Sequence, residues 1–352
     1  MKLIRVILIP FSIIYSIIIF FRNKFYDFGI FGSEKLSKPV VSIGNITTGG
    51  TGKTPFTIFV SQYFLQKGMK VGIVSRGYKR KSDKVEVVCD GVNINTNVSE
   101  SGDELILIAE ELIQYYKNNF FIAAGNNRYE AANYLVKKFD PDIIILDDAF
   151  QHRKINRDLD LVMVDSQNFL KERFLNAFTL PSGILRENYL NLSRADVIIQ
   201  NNKDTDLKII SRLELYGKEI SVLRYKTEYF MDNKNSILGN YRSDAIVFSG
   251  IADDRSFVSM VRDTGLNAGK AISFPDHHTY NESDIESLIG KFAKGKIFVT
   301  TEKDFIKIRQ FEKFVNEYPV YFLKMKTEVS ENADVLYKKL DALINEDRHN
   351  KI

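Results

Sequence analysis

The stretch SIGNITTGGTGKTPFTIFV, residues 42–60 of the 352-residue chain, constrains the fold more than any other. An apolar segment leads into closely spaced glycines, a Gly-Lys-Thr triplet and a run with one apolar side. In a strand–loop–helix unit of this kind, successive backbone N–H groups and a helix N-terminus converge on an anion. The stretch therefore predicts a phosphate-binding loop between a buried strand, 39–44, and a helix, 53–66.

The loop departs from the usual phosphate-binding pattern at one position, because Thr47 stands where the first glycine is expected. The glycines that follow still allow a close approach of the backbone to a phosphate. Lys53 is expected to reach the β- and γ-phosphates, and the Thr54 hydroxyl to ligate Mg²⁺. A glycine-rich turn with an incidental lysine is the alternative. The predicted nucleotide-binding residues are Thr47, Thr48, Gly49, Gly50, Thr51, Gly52, Lys53 and Thr54.

Short apolar strands alternate with helices after the loop, which is typical of a doubly wound, mostly parallel sheet. Helices are predicted near 103–117 and 128–139, and strands at 71–75, 85–89, 120–124, 142–146, 160–164 and 196–200. A strand-rich connector follows, and then a second α/β unit. The predicted organisation is an N-terminal apolar helix and linker (1–36), a phosphate-loop core domain (37–215), a β connector (216–240) and a smaller C-terminal α/β domain (241–345).

Polar groups follow several strands at the edge where such sheets collect ligands, beyond the carboxyl ends of the strands. RGYKR, 76–80, follows one strand, and Asp147 and Asp148 follow the apolar DIIIL. An acid at the end of such a strand commonly holds Mg²⁺, directly or through water. One aspartate could instead cap a helix. Two in succession favour the metal interpretation.

Four other segments carry candidate residues with weaker signals. Asp103 and Glu104 begin a helix, where acidic residues also complement the helix dipole. His277 and His278 are adjacent, so a proton-handling histidine or a phosphate contact is plausible, while a zinc site lacks further ligands nearby. Arg186–Glu187 and Glu302–Asp304 lie in segments that are more often surface loops than sites.

The N-terminal segment contains an uncharged run, VILIPFSIIYSIIIFF, at residues 6–21. It contains Pro10 and is marginal for a full membrane span, which usually needs about 17–25 residues. No small-x-small cleavage site follows it, which argues against a secretory signal. An interfacial or membrane-embedded helix fits best, with Arg22 and Lys24 at the headgroups. A helix buried against the protein body is the alternative.

The charge of the chain is concentrated at the same end. Residues 1–40 hold six basic and two acidic residues, and the remainder is neutral, so the net charge of +4 is local. A nucleic-acid-binding surface is therefore not expected. The single cysteine, Cys89, excludes an intramolecular disulfide.

These motifs together resemble the tetraacyldisaccharide 4'-kinases, the lipid A 4'-kinases of Gram-negative bacteria. GNITTGGTGKTP, SRGYKR, GDE, LDDAFQH, LPSGILRE, FPDHH and TEKD occur in that family's order, and the resemblance covers nearly the whole chain. It implies a phosphate-loop α/β fold in two domains joined by a short β connector. It implies an ATP- and Mg²⁺-dependent kinase at the cytoplasmic face of the inner membrane, which phosphorylates the 4'-hydroxyl of a tetraacyldisaccharide 1-phosphate to give lipid IVA. No obligate protein partner is expected.

The resemblance also implies roles for single residues. Asp103 corresponds to the base that deprotonates the sugar hydroxyl, assisted by His277; we expect closure of the two domains to assemble this pair. Asp147 and Asp148 would serve Mg²⁺, with Glu187 near the nucleotide and metal. The candidates for contact with the substrate, including its 1-phosphate, are Arg76, Arg128, Arg186 and His278.

A membrane-associated phosphate-loop ATPase of the partition type, acting as a switch, is the main alternative. Such proteins carry a signature lysine just before the paired glycines, where this chain has Thr48. A membrane adaptor with a decayed nucleotide site is a second alternative. It is disfavoured because Lys53, Thr54 and the aspartate pair are all present.

Overall fold

The computed structural model describes residues 2–77, 80, 83–170, 174–203, 205–239, 243–269, 271–292 and 295–350. The strands are β1 Val40–Asn45, β2 Val71–Ser75, β3 Glu86–Cys89, β4 Phe120–Ala124, β5 Ile143–Asp147, β6 Leu159–Asp165, β7 Val197–Asn201, β8 Glu219–Met231, β9 Asp244–Ser249, β10 Asn267–Ala268, β11 Ile272–Ser273, β12 Lys296–Thr301 and β13 Val320–Glu331. The α-helices are α1 Lys2–Ile7, α2 Ile9–Asp27, α3 Lys53–Gln66, α4 Val98–Ser101, α5 Asp103–Ile113, α6 Arg128–Phe139, α7 Ser166–Leu170, α8 Ser211–Glu214, α9 Asp254–Asp263, α10 Glu282–Ile289, α11 Glu302–Ile308, α12 Glu312–Glu317 and α13 Ala333–Asn350. Two 3₁₀ helices span Phe174–Ala177 and Tyr189–Arg194.

One sheet runs through the protein in the order β10-β9-β12-β13-β8-β7-β6-β1-β5-β2-β4-β3, with β11 paired to β9. The pairs are parallel except for β3 with β4 and β8 with β13. The predicted mostly parallel α/β sheet is therefore confirmed. β1, which leads into the phosphate loop, lies between β5 and β6.

The central strands are covered on both faces, as the apolar runs in their sequences indicate. Ile143 and Ile145 of β5 face a core formed with α3 and α5, whereas Ile144 and Leu146 face a core formed with α6. The alternation follows from the two-residue period of a strand. Burial on both faces holds β5 rigidly and directs Asp147, its last residue, to the carboxyl edge of the sheet.

Two halves share this sheet. The N-terminal half comprises β1–β7 with their helices, and the C-terminal half comprises β9–β12 with α9–α12. The expected connector includes β8, which is parallel to β7 and antiparallel to β13, so backbone hydrogen bonds run continuously between the halves. Helix α13 begins within the range predicted as C-terminal domain, 241–345, yet apolar residues from that part of the helix pack into the core of the N-terminal half: Leu336, Leu340, Leu343 and Ile344. That boundary could not be read from the sequence because the return of the chain depends on tertiary packing.

The N-terminal helices α1 and α2 lie on the N-terminal half with their polar side inward. Ser12 Oγ accepts a hydrogen bond from the backbone N–H of Ser182 at 2.8 Å, and the Asn23 amide donates to Glu187 at 2.7 Å. Apolar side chains point outward, and Ile14 and Ile18 are 55% and 59% exposed. Within the described helices, none has both the length and the apolar character required to cross a membrane.

Candidate functional site

The predicted phosphate loop has the geometry that its glycines suggested. Gly52, at φ +83°, is the N-cap of α3, and Gly49 lies at φ +96°. A side chain at position 52 would collide with Tyr225 and Asn201, which pack against the loop. Asn201 also donates to the carbonyl of Thr51 at 2.8 Å. Only glycine satisfies both the backbone conformation and the contacts at residue 52.

Asp147 and Asp148 meet the loop at the carboxyl end of β5. Asp147 accepts a hydrogen bond from the Thr57 hydroxyl at 2.9 Å, while Oδ1 of Asp148 lies 3.6 Å from Nζ of Lys53 and 2.6 Å from Nη1 of Arg186. Burial raises the pKa of Asp147, as do Glu104 and Asp148 nearby. Burial would also raise the pKa of Asp148, but Lys53 and Arg186 lower it to about 2. The two neighbouring carboxyl groups thus differ in electrostatic environment.

The oxygens near the loop suit Mg²⁺. Oδ2 of Asp147 is buried and has no hydrogen-bond partner among the described residues, and Thr54 is also buried beside Lys53. Hard oxygen ligands of this kind are those that Mg²⁺ prefers, and it commonly uses one or two carboxylates together with substrate phosphates. Across the described ranges, no group of three or more His, Cys, Asp or Glu side chains is arranged as a protein-only metal site.

Asp103 and His277, predicted from separate motifs, are in contact. Asp103 begins α5, and each of its carboxylate oxygens lies 3.1 Å from Nδ1 of His277. A carboxylate only accepts, so this contact assigns a proton to Nδ1 and leaves Nε2 as the basic nitrogen. His277 adopts φ +56°, a conformation uncommon for a non-glycine residue and frequent at functional sites. The pair meets without any movement of one half relative to the other.

Two lysines complete this cluster: Lys303, which lies in the candidate segment Glu302–Asp304 that is more often a surface loop, and Lys307, which was not predicted. Nζ of Lys303 lies 3.3 Å from Nε2 of His277 and 3.2 Å from Glu104, and Nζ of Lys307 lies 3.0 Å from Asp103. Burial would raise the pKa of Asp103, but His277, Lys303 and Lys307 hold it well below its ordinary value. One sequence pattern could have indicated that these lysines act together: they are four residues apart in TEKDFIK, which places both on one face of a helix.

A cavity of about 900 Å³ connects the loop with this cluster. Residues 48–54, Asp148 and Arg186 line one part of it, and His277, Glu302 and Lys303 line another. The imidazole of His277 reaches the cavity, whereas Asp103 is 5% exposed and is not among its lining residues. The arrangement therefore places the ring between the carboxylate and the cavity.

A second charged group lines the same cavity. Lys324 of β13 is paired with both Glu111 of α5 and Glu302 of α11. Burial and the neighbouring Glu111 raise the pKa of Glu302, against the opposing effect of Lys324. This group, which joins the two halves, had no signal in the sequence because its members lie on three separate elements.

Glu187 and His278 lie away from the cavity, in contrast to the prediction. Glu187 is fully buried beneath α2, where its carboxylate pairs with Arg194 at 2.6 Å and accepts from Asn23. His278 stacks on Phe274 and contacts Asp284 through Nε2 at 2.9 Å. Arg186 and His277 line the cavity, but the residues that follow them, Glu187 and His278, do not. Adjacent side chains along the chain point in different directions.

The three predicted substrate arginines separate in the structure. Arg186 lines the cavity and is paired with Asp148, whereas Arg76 is exposed and contacts Asn126 at 3.4 Å. Arg128 is buried, and burial lowers its pKa to about 10 despite the nearby Asp148. Only Arg186 therefore reaches the large cavity. Tyr78 and Lys79 of the RGYKR motif lie outside the described residues.

Comparisons with known proteins agree with the motifs and the fold. The family model described as tetraacyldisaccharide-1-P 4'-kinase (LpxK) matches residues 4–345. The tetraacyldisaccharide 4'-kinase of Chlorobium phaeovibrioides is 35% identical over 353 residues, which cover 96% of this chain and 98% of that protein. The Aquifex aeolicus protein of the same name is 32% identical over 344 residues, which cover 96% and 99%.

A solved structure gives the same result at the level of the fold. LpxK from Aquifex aeolicus, in complex with ATP, superposes with a TM-score of 0.76 at 29% identity, covering 96% of this chain and 99% of that one. These similarities span both halves and do not favour a partition-type ATPase. The resemblance found in the sequence is confirmed, and the chain belongs to the tetraacyldisaccharide 4'-kinase family.

Proposed function

We propose that this protein transfers the γ-phosphoryl group of ATP to the 4'-hydroxyl of a tetraacylated glucosamine disaccharide 1-phosphate, forming lipid IVA in lipid A biosynthesis. One observation carries the mechanism: the phosphate loop and the imidazole of His277 face the same cavity. Phosphoryl transfer requires positioning, charge neutralisation and a group oriented on the nucleophile. The cavity brings residues suited to each task together.

The loop of residues 47–54 receives the phosphates of ATP through its backbone N–H groups and the N-terminus of α3. Lys53 reaches the β- and γ-phosphates, which draw it from its long contact of 3.6 Å with Asp148. Thr54, Asp147 and Asp148 would hold Mg²⁺, which neutralises phosphate charge when bound. Glu187 is left out of this set because its carboxylate is engaged by Arg194 and Asn23.

The acceptor hydroxyl is positioned by the Asp103–His277 pair. Its oxygen forms a bond to the γ-phosphorus, the bond to the oxygen bridging the β- and γ-phosphates breaks, and ADP leaves. The resemblance implies Asp103 as the base, but its carboxylate is buried behind the imidazole and does not line the cavity. We therefore assign the proton to Nε2 of His277, while Asp103 stabilises the resulting imidazolium through Nδ1. Lys303 must move away from Nε2 to admit the hydroxyl, and Glu104 offers it a second partner at 3.2 Å.

Membrane association at the cytoplasmic face of the inner membrane forms part of this proposal. The supporting observation is the orientation of α1 and α2, whose polar side contacts the protein body and whose apolar side is exposed. A surface helix with the opposite orientation would be expected in water. An apolar outer side suits the boundary between headgroups and acyl chains, where the lipid acceptor also lies.

The test is incubation of the full-length protein with γ-labelled ATP, Mg²⁺ and tetraacyldisaccharide 1-phosphate in detergent micelles. Label is expected in the lipid for the wild type and not for Lys53→Met. Hydrolysis of ATP to labelled phosphate at a rate independent of the lipid, with no labelled lipid, would refute the kinase proposal.

A further inference from the structure

Lys303 occupies the place in the large cavity where the acceptor hydroxyl must bind. Its ammonium donates to Nε2 of His277, with Nζ 3.3 Å from that nitrogen. Nζ also lies 3.2 Å from Oε1 of Glu104 and 3.8 Å from Oδ1 of Asp103. The side chain is 17% exposed and lines the cavity that contains the phosphate loop. A cation therefore lies directly beside the basic nitrogen.

Lys303 carries its charge in this environment. Burial alone would lower its pKa, but three neighbouring carboxylates raise the pKa above its ordinary value: Glu104, Asp103 and Asp276. The ammonium form therefore persists at neutral pH and above, and it can donate three hydrogen bonds. Such a group stabilises negative charge that develops within its reach.

The cations of the cavity come from both halves of the protein. Lys53, at the start of α3, belongs to the phosphate loop in the N-terminal half. Lys303 and Lys324 belong to the C-terminal half and the connecting strands, and Lys324 is held between Glu111 and Glu302. Lys303 thus brings a positive charge to the base nitrogen from the half that does not carry the phosphate loop.

The position of Glu104 indicates the direction in which the ammonium can move. Its carboxylate contacts Lys303, and burial together with Glu104 raises the pKa of Asp147. Asp147 is the last residue of β5, beside the phosphate loop. A movement along Glu104 therefore leads from Nε2 of His277 towards the bound phosphates, and the flexible four-carbon stem of a lysine permits it.

The geometry of the transfer brings the phosphoryl group within reach of this lysine. A hydroxyl that donates to Nε2 of His277 has its oxygen about 2.8 Å from that nitrogen, and the attacked γ-phosphorus lies about 3–3.5 Å further on. The oxygens of the γ-phosphoryl group then lie within roughly 7 Å of Nε2. Nζ of Lys303 starts 3.3 Å from the same atom. Rotation of the side chain is sufficient to close the remaining distance.

We propose that Lys303 is a further catalytic residue of the phosphoryl transfer. When the acceptor hydroxyl takes its place at Nε2, the ammonium turns along Glu104 and donates hydrogen bonds to the γ-phosphoryl oxygens, over which charge spreads in the transition state. Lys303 keeps its protons throughout. The hydroxyl proton passes to Nε2, the acceptor oxygen bonds to the γ-phosphorus, and the bond to the bridging oxygen breaks.

The inference rests on the proposed kinase function and is tested in the full-length protein with γ-labelled ATP, Mg²⁺ and tetraacyldisaccharide 1-phosphate in detergent micelles. Lys303→Met should lower kcat by roughly 10²- to 10³-fold, as expected for the loss of one donor that stabilises the transition state. The KM for ATP should hardly change. Lys303→Arg keeps the charge and should recover part of kcat. Lys313→Met, at an exposed position on α12, is the matched control and should keep the wild-type kcat.

Two further measurements separate catalysis from a structural contact between the halves. Lys303→Ala should regain activity when propylammonium ions are added, because a small cation can enter the space left by the side chain. ADP with Mg²⁺ and aluminium fluoride imitates the transferring phosphoryl group and needs no acceptor. Aluminium fluoride should tighten ADP binding roughly tenfold less in Lys303→Met than in the wild type or Lys313→Met.

A Lys303→Met variant with the wild-type kcat overturns the proposal. So does a loss of kcat that propylammonium does not restore and that leaves the tightening of ADP binding intact, since Lys303 then only joins the two halves. Rescue by propylammonium together with weaker tightening supports it. A wild type that labels no lipid refutes the kinase function instead, and the aluminium fluoride assay still judges Lys303.

Discussion

Nζ of Lys307 lies 3.0 Å from Oδ2 of Asp103 and connects α11 of the C-terminal half with α5 of the N-terminal half. Lys307 is buried and also lies 3.5 Å from Asp304. Asp304 accepts a hydrogen bond from the N–H of Gly250, whose carbonyl accepts from the N–H of His277. Through these contacts Lys307 fixes the carboxylate while Asp304 fixes the loop that carries the imidazole.

Replacement of Lys307 by methionine should destabilise the protein in a pH-dependent way. Breaking a buried ion pair from one side costs about 3 kcal/mol, because a carboxylate loses its partner. The pKa of Asp103 is depressed in the native protein, and this stabilises the fold above the carboxyl's unfolded pKa of about 3.9. Removal of Lys307 raises that pKa towards its ordinary value, so the deficit in unfolding free energy should persist from pH 7 to pH 4. It should shrink only below pH 4, where the carboxyl of the variant becomes protonated and no longer needs a cation.

Denaturant unfolding at pH 7 and at pH 2.5 measures this difference. Lys307→Arg retains the cation and should recover part of the lost stability, with a similar recovery in kcat. A deficit that is as large at pH 2.5 as at pH 7 would contradict an electrostatic role for Lys307.

Asp103→Asn and His277→Gln should each lower kcat by about 10²- to 10⁴-fold, the usual range for a positioned acid–base group. The KM for ATP should change little, since the phosphate loop is built from other residues. Residues that act as one unit show strongly non-additive effects. We therefore expect the double variant to be about as slow as the slower single variant. If the loss of kcat in the double variant equals the product of the losses in the two single variants, the two residues act independently.

Glu302→Gln should have a higher unfolding free energy than the wild type, and this advantage should grow as the pH rises from 5 to 8. The pKa of Glu302 is raised by burial and by Glu111, so the folded state retains a proton that the unfolded state has released. Wild-type stability then falls with rising pH, by up to about 1.4 kcal/mol per pH unit. Glutamine resembles the protonated form and removes this loss. Unfolding curves of Glu302→Gln and of Glu312→Gln, at an exposed site on α12, provide the comparison.

Glutamate at Ile14 and Ile18, on the outer side of α2, should release the protein from liposomes without lowering the unfolding temperature. Both side chains are more than half exposed, so the substitutions remove little packing within the protein. Leu215→Glu, at a position that is 81% exposed on the body, is the matched control and should float with liposomes like the wild type. Unchanged flotation of the double variant would place the membrane contact elsewhere.

Much of the fold was accessible from the sequence because local patterns agree with the tertiary structure. The predicted helices 53–66 and 128–139 coincide with α3 and α6, and the predicted strands match within one or two residues. The extension of one sheet through both halves was not predicted. It depends on the pairing of β8 with β13, and the register between strands distant in sequence leaves no local pattern.

The site was predictable where residues share a motif or a strand end. The phosphate loop and the aspartate pair meet because the carboxyl ends of parallel strands share one edge. The placement of Asp103 beside His277 required the family resemblance. Lys307 was missed and Lys303 was considered a surface-loop residue, since a lysine is ordinarily a solvated side chain and only the packing of α11 on α5 buries these two.

The position of α13 sets an order for the formation of the protein during synthesis. Its four apolar residues complete the core around α3 and α5, although they are translated after the whole C-terminal half. The ribosome must therefore release residues 336–344 before the nucleotide-binding core can close. Until then the nascent N-terminal half exposes an apolar surface, and a chaperone that shields such surfaces would have its longest engagement there.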